Sequence, residues 1–287
     1  MFNKRHIVRT IAATASILAL SFTAACGSGQ STASNSTDSD DITQQTYKPG
    51  KLTIATGQPA YEPWVMNDKP ESGEGYETAV AYAVADKLGF KKSDVVWTRT
   101  AFDTAIAPGA KDWDFNIQQF GITDERKKAV DFSSSYYNDS QSVVVKKDSK
   151  FANATKVSDL KDATVGVMVG TLAYDYAKAN IKDDIQTFND DAALAQALDA
   201  GQIDALVTST VECVYMVQSE QVTDAKVLGR LPDSEDKSGM GIVLPKDSKL
   251  TAAVTKAVDD LNADGTIKKL QDKWLAEYTT DLTELKK

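Results

Sequence analysis

The sequence predicts an α/β fold built as two units, and two observations carry that prediction. Short apolar runs alternate with segments of helical period from Leu52 onward, the pattern of helices layered on largely parallel strands. The alternation stops at a polar stretch over residues 146–155 and restarts at Thr164, which divides the folded part, about Leu52 to Tyr278, in two. At this length one or two domains are expected, and no internal repeat is present.

The segment ahead of Leu52 is different in kind. Lys4, Arg5 and Arg9 precede an apolar run from Ile11 to Phe22, and the small residues Thr23-Ala24-Ala25 lead to Cys26. This is a secretory leader, too short and wrongly flanked for a spanning helix. A Cys directly after small residues is similar to the cleavage site of bacterial lipoproteins, which are cut before the Cys and diacylated on it. Residues 1–25 are thus expected to be removed and Cys26 lipidated, two acyl chains sufficing for stable anchoring where one is marginal. The other reading is ordinary cleavage with an incidental Cys. Residues 26–50 are rich in Ser, Thr, Asn, Asp, Gln and Gly and are expected to form a flexible tether.

Composition excludes several function classes. Loss of the leader leaves 29 of the 32 basic residues against 41 acidic ones, a net charge of −12, which argues against nucleic acid or anionic lipid as a partner. The single His, His6, lies in the leader, so the exported chain has no Ser-His-Asp or Cys-His catalysis and no His-ligated metal. With Cys26 acylated, Cys213 is the one thiol left: no intrachain disulfide or Cys metal cluster forms, and Cys213 within VECVYMV reads as a buried apolar thiol.

In the first unit strands are expected at Leu52–Ala55, Val95–Trp97 and Phe115–Ile117. A helix over Glu77–Leu88 sets Val80, Ala83, Val84 and Leu88 on one face and ends at Gly89, and a short helix over Phe102–Ala107 stops at Pro108-Gly109. Gln118 to Thr123 turns the chain, and Thr123 is a good N-cap for a short helix carrying Asp124 and Glu125 in its first turn. A strand at Val143–Val145 follows. In the second unit strands are expected at Thr164–Val167, Ile185–Thr187, Ala205–Val207 and Lys226–Leu228, with helices from Thr171, over Asp190–Ala200 and over Val211–Ser219. The strand Ile242–Leu244 and helices over Leu250–Leu261 and Ile267–Tyr278 close the chain.

Three spots carry candidate chemistry. Arg126 sits three residues past the Thr123 cap, where a cation opposes the helix dipole; it is either a solvated Arg beside Lys127 and Lys128, or it faces an anion that the helix N-terminus also attracts. Arg suits a carboxylate because its planar fork donates two parallel hydrogen bonds. The stretch Gly166-Val167-Met168-Val169-Gly170-Thr171 runs a strand into a helix start, either a plain capped helix or an oxyanion site where Gly170 lets a ligand approach the backbone. Its spacing is neither a dinucleotide nor a P-loop fingerprint. Tyr61-Glu62-Pro63-Trp64 follows the first strand, where open α/β sheets bind ligands; the aromatic pair either stacks on a solute or packs the loop. Sequence spacing singles out no acid–base pair among the many carboxylates.

Taken together, five segments resemble the extracellular solute-binding proteins of polar amino-acid ABC transporters: GEGYETAVAYAVADKLGF, GITDERKKAVDFSSSYY, TVGVMVGT, GQIDALV and ADGTIKKLQDKWL, in the family's order and spanning Leu52 to Tyr278. The resemblance implies a two-lobe periplasmic-binding-protein-like α/β fold with two crossover segments and the ligand in the interlobe cleft. Lobe one would comprise residues 51–138 and 237–287, and lobe two residues 139–236. It further implies that Arg126 clamps a ligand α-carboxylate with help from Gly121 and Thr123, that Gly170 and Thr171 offer a helix N-terminus to the same carboxylate, and that Tyr61 and Phe102 flank the ligand. Met168 and Thr208 are expected to line the cleft beside them.

The chain departs from the family pattern in three places. Gly121 stands where Ser or Thr is usual, which leaves only backbone N–H there. Gln118 and Gln119 replace small residues and are expected to reach the cleft as amide donors and acceptors. Ser209 occupies the position of the Asp that pairs with the ligand ammonium, so either Glu212 or another carboxylate substitutes, or the ligand lacks that amine.

The resemblance implies a non-enzymatic, monomeric receptor without metal or cofactor, held by Cys26 at the extracytoplasmic face of a bacterial cell membrane, that passes a polar amino acid to an ABC permease. The alternatives are a same-fold binder of a non-amino-acid carboxylate and a dehydratase-type enzyme on this scaffold.

Overall fold

A computed structural model describes residues 41–279 and 282–287. The expected leader, Cys26 and residues 27–40 of the expected tether lie outside the described residues.

Ten strands are described in chain order: β1 (Leu52–Thr56), β2 (Val95–Arg99), β3 (Phe115–Asn116), β4 (Val130–Tyr137), β5 (Gln141–Lys146), β6 (Val165–Met168), β7 (Gln186–Phe188), β8 (Ala205–Ser209), β9 (Ala225–Arg230) and β10 (Met240–Pro245). The helices are α1 (Tyr76–Lys87), α2 (Phe102–Ile106), α3 (Leu172–Asn180), α4 (Asp191–Asp199), α5 (Thr210–Gln218), α6 (Thr251–Ala263) and α7 (Thr266–Trp274).

The strands form two five-stranded sheets, ordered β2-β1-β3-β10-β4 and β7-β6-β8-β5-β9. The expected parallel character holds for half of each sheet. β1 runs parallel to β2 and β3, and β6 parallel to β7 and β8, whereas β10 and β5 run antiparallel to both of their neighbours. The antiparallel pairs arise where the chain crosses between sheets rather than through a helix, so no right-handed crossover sets their direction.

Both sheets are covered on both faces. In β5, Val143 and Val145 point into one core with Val165, Val167, Ala173 and Ala177, while Val144 points into the other with Leu194, Leu198, Leu206 and Met216. The period of two thus places α3 on one face and α4 and α5 on the other. Cys213 is fully buried in the second of these cores, as expected of an apolar thiol. In the first sheet, Leu52 and Ile54 of β1 pack with Val80, Val84, Val254 and Val258 of α1 and α6. Ala55 faces the opposite core with Ala105, Trp113 and Phe120.

The chain crosses from the first sheet to the second between Tyr137 and Gln141 and returns between Arg230 and Met240. The two crossings are tied together: Asp236 N–H donates to Asp139 O at 2.9 Å, and the Asn138 amide donates to Asp236 O at 2.9 Å.

Four local expectations are corrected. The strand β4 lies where no strand was expected; Ser133-Ser134-Ser135 hides its apolar alternation, and its pairing with β10 carries register shifts around Gly241. The helix expected after Thr123 shrinks to one 3-10 turn, Arg126–Lys128, because β4 begins at Val130. Residues 41–50, expected to belong to the flexible tether, include a buried Thr46, and Asp114 accepts from Tyr47 N–H at 2.6 Å and from Thr53 N–H at 2.7 Å. Finally, the last residues, expected with lobe one, join the second sheet's side of the molecule. Leu285 N–H donates to Arg230 O and Arg230 N–H to Thr283 O, both at 2.9 Å, and Leu285 is buried in the core of that sheet.

Candidate functional site

The parallel strands of both sheets end on the same cavity, as open α/β sheets do at the carboxyl ends of their strands. The cavity holds about 250 Å³ and is lined by the loops after β1, β2 and β3 from one side and after β6, β7 and β8 from the other. It lies below the ~300–1,000 Å³ of drug-sized pockets, so it fits a small solute. Ten of the expected site residues line it: Tyr61, Phe102, Gln118, Gln119, Gly121, Arg126, Met168, Thr171, Thr208 and Ser209. Thr123 and Gly170 stand outside the lining and are hydrogen-bonded to Arg126.

Arg126 is positioned by its own turn. The Thr123 hydroxyl accepts from Arg126 N–H at 3.1 Å, which fixes the backbone, and the guanidinium lies 5.4 Å from the Phe102 ring centroid. Phe102 in turn stacks on Phe120 at 4.7 Å. One guanidinium nitrogen donates to Gly121 O at 2.7 Å and the other to Gly170 O at 2.8 Å, so this side chain ties a loop of the first sheet to a loop of the second. Burial lowers its proton affinity, while the carboxylates of Asp175 and Asp236 hold it charged. Gly121 therefore contributes its carbonyl to the Arg. A Cβ at this position would meet the end of the Leu172 side chain at 2.5 Å and the Asp236 carboxylate at 2.9 Å, so a larger residue here requires those side chains to shift.

Thr171 caps α3, accepting from Tyr174 N–H at 3.2 Å and donating to Met168 O at 2.8 Å. Gly170 precedes it in the left-handed region at φ 73°, with open space where a Cβ would stand. On the opposite wall, Gln118 keeps its amide oxygen unpartnered at the cavity. Gln119 behaves differently from expectation: at φ 50° it turns its backbone N–H and its amide nitrogen onto the buried Glu77 carboxylate, which the Tyr136 hydroxyl also serves.

The carboxylates are the part of the cavity that residue spacing does not single out. Asp139, Asp190, Asp191, Glu212 and Asp236 all line the cavity. The Ser209 hydroxyl caps α5, accepting from Glu212 N–H at 3.3 Å. Glu212, one turn further on, is 4% exposed; one carboxylate oxygen accepts from Trp64 Nε1 at 3.3 Å and the other has no partner. Burial, and then the charge of Asp191, push its proton affinity well up. Asp191 opens α4 with one oxygen unpartnered and is raised to about 6 by burial and by Asp190. Asp139 sits at the crossing, also raised to about 6 by burial, against hydrogen bonds from Ser140, Val211 and Ser209.

Tyr61 bridges the cavity. Its hydroxyl donates to Asp190 at 3.5 Å and accepts from Ala192 N–H at 3.3 Å, and burial raises its proton affinity. Asp190 itself caps α4 through Ala193 N–H at 2.8 Å. Glu62 adds a further bridge, accepting from the Tyr215 hydroxyl at 3.4 Å. The one signal that could have found Asp190 and Asp191 is their place, Asn-Asp-Asp after a strand and before a helix. Glu77 and Asp139 gave none, because burial of a carboxylate is invisible in sequence.

The arrangement thus presents one guanidinium, five carboxylates and the aromatic rings of Tyr61, Trp64 and Phe102 to a single small cavity. Among the described residues no group of His, Cys, Asp or Glu is arranged to hold a metal ion, and no helix is long and apolar enough to cross a membrane.

Comparison with known proteins gives a consistent picture. The L-arginine-binding protein of Pseudomonas aeruginosa is 29% identical over 80% of this chain and 88% of its own length. The L-cystine-binding protein TcyJ of Escherichia coli is 30% identical over 77% of this chain and 81% of its own length. An ancestral arginine-binding protein solved with bound arginine superposes with a TM-score of 0.67 at 31% identity, covering 78% of this chain and 98% of that one. Residues 52–277 match the bacterial extracellular solute-binding proteins, family 3, and it is to this family of binding proteins that the chain belongs.

Proposed function

We propose that this protein is the substrate-binding lipoprotein of an ABC importer, that it captures a polar amino acid in the cavity between the two sheets, and that it hands the solute to the permease in the membrane. The observation that carries the reading is Arg126, a charged fork at the cavity wall bonded to loops from both sheets. A ligand carboxylate taken by that fork gains two parallel charge-assisted bonds and holds the two walls together. The names of the arginine- and cystine-binding relatives support an amino acid over another carboxylate. The unpartnered oxygens of Asp191 and Glu212 also support a ligand with a free ammonium, in spite of Ser209. In this reading the lobes are residues 51–138 with 237–279, and 139–236 with the tail 282–287. The protein acts as a monomer at the extracytoplasmic face of the membrane, anchored through Cys26.

The test is calorimetric titration of the purified protein, stripped of co-purified solute by unfolding and refolding, with the amino acids in turn. Arg126→Ala should weaken the ligand of the parent by about 2–5 kcal/mol while circular dichroism and melting temperature stay near the parent's. Near-parental affinity in that variant contradicts the assignment.

A further inference from the structure

We infer that Glu77, a residue outside the cavity, positions the turn over residues 118–121 and so sets solute affinity, and that its ionised form is the one that holds the turn for binding. The inference rests on the amino-acid reading above and adds to it a residue behind the cavity wall.

The turn carries much of that wall. Gln118, Gln119 and Gly121 line the cavity, and the Gly121 carbonyl accepts from the Arg126 guanidinium at 2.7 Å. Its far end is fastened at the start of β10, where Gly241 N–H donates to Phe120 O at 3.0 Å and Ile122 N–H to Gly239 O at 2.9 Å. Its near end leaves β3, where Ile117 N–H donates to Ala55 O at 3.1 Å. Between them stands Gln119 at φ 50°, a left-handed conformation that costs an L residue free energy and persists only where neighbours hold it.

Glu77 is the neighbour that holds it. It is 0% exposed, lies in the first turn of α1 and is absent from the cavity lining. One carboxylate oxygen accepts from Gln119 N–H at 2.7 Å and from the Tyr136 hydroxyl, and the other accepts from the Gln119 amide nitrogen. Three donors converge on two oxygens, and two of the three belong to the left-handed residue.

An ionised carboxylate accepts all three bonds. A protonated one carries a donor of its own and meets a donor at every contact, so one contact must break or turn over. The side chains that face it are Tyr76 from α1, Tyr136 from β4 and Gln119 from the turn, none of them a cation. Only the bonds from Tyr136 and Gln119 therefore offset the cost of burying the charge, and burial raises the group to about 7, which sets the exchange between the two bonding patterns near neutrality. Stability and binding then move in opposite directions. The ionised form costs the fold stability and holds the turn, whereas a role confined to packing would move the two together.

The experiment compares the parent with Glu77→Gln, which has the shape of the protonated acid. Both are titrated calorimetrically with the amino acids in turn, L-arginine, L-glutamine and L-cystine first, from about pH 6 to about pH 8.5, and melted in urea over the same range. The ratio of the two affinities cancels the titration of the cavity acids, which both proteins share. For the amino acid that binds the parent, Glu77→Gln should bind about 10-fold more weakly at about pH 8.5 and within about 2-fold of the parent at about pH 6. Over the same rise in pH it should gain stability on the parent. Tyr136→Phe takes one donor off the carboxylate without touching the turn, and should move the midpoint of that ratio to higher pH. A ratio that does not change with pH, a parental affinity of Glu77→Gln at about pH 8.5, or a midpoint unmoved in Tyr136→Phe overturns the inference and leaves the amino-acid reading standing. Silence of the parent with every amino acid overturns both.

Discussion

At the scale of single residues, the cleft is governed by buried charge that the chain cannot solvate. Glu77 illustrates this away from the ligand. It is fully buried in the first turn of α1 and accepts from Gln119 N–H, the Gln119 amide and the Tyr136 hydroxyl. Burial outweighs those bonds and raises it from 4.5 to about 7. Between those values the folded protein keeps a proton there that the unfolded chain has released, so this group's contribution falls as pH rises through the window and levels off above it. Glu77→Gln cannot ionise. Its stability relative to the parent should therefore rise by about 1–3 kcal/mol between about pH 5 and pH 7.5 in urea melts. A difference that stays constant with pH would contradict the role. Because Glu77 sets the turn that carries Gln119 and Gly121, it also fixes the carbonyl on which Arg126 rests.

Among the elements, the tail is the one whose partner is unexpected. Residues 283–287 follow the helices of the first sheet yet bond to Arg230 and to residues 155–157 beside the second. Leu285, 4% exposed, fills the core formed by Val143, Val165 and Val207. In the 3-10 turn after α7, Ala276–Tyr278, the Tyr278 ring packs against Tyr215 of α5 at 5.9 Å between centroids, so the tail continues a contact that already reaches across. Leu285→Ala should destabilise the protein by about 2–3 kcal/mol in denaturant melts, the lower part of the range for buried Leu because a site near a chain end can relax. A loss under about 0.5 kcal/mol would mean that the tail is an ornament of the surface.

At the scale of the whole molecule, the cavity joins two sheets that otherwise meet at two crossings, the tail and a handful of bridges. Tyr61, Trp64 and Arg126 from the first side each bond to the second, through Asp190, Glu212 and Gly170. A ligand bonded to both walls therefore stabilises the molecule as one body. At a hundred times its dissociation constant it should add about 2.7 kcal/mol and raise a single calorimetric transition. Two transitions of which only one responds to ligand would show that each lobe melts by itself and that the solute is held by one wall.

The sequence by itself determined the layered α/β class and most strand and helix positions, because apolar period and cap chemistry are local properties of the chain, while the gathering of Tyr61, Phe102 and Arg126 was implied by the resemblance of its motifs to a family. Tertiary structure alone decided four things: the antiparallel halves of both sheets, the strand hidden under three serines, the docking of residues 41–50 and of the tail, and the carboxylate pair. Those depend on which distant segments become neighbours. Asp191 and Glu212 are ordinary helix-start acids when read in order. They come to border one cavity only because α4, α5 and Trp64 close over it.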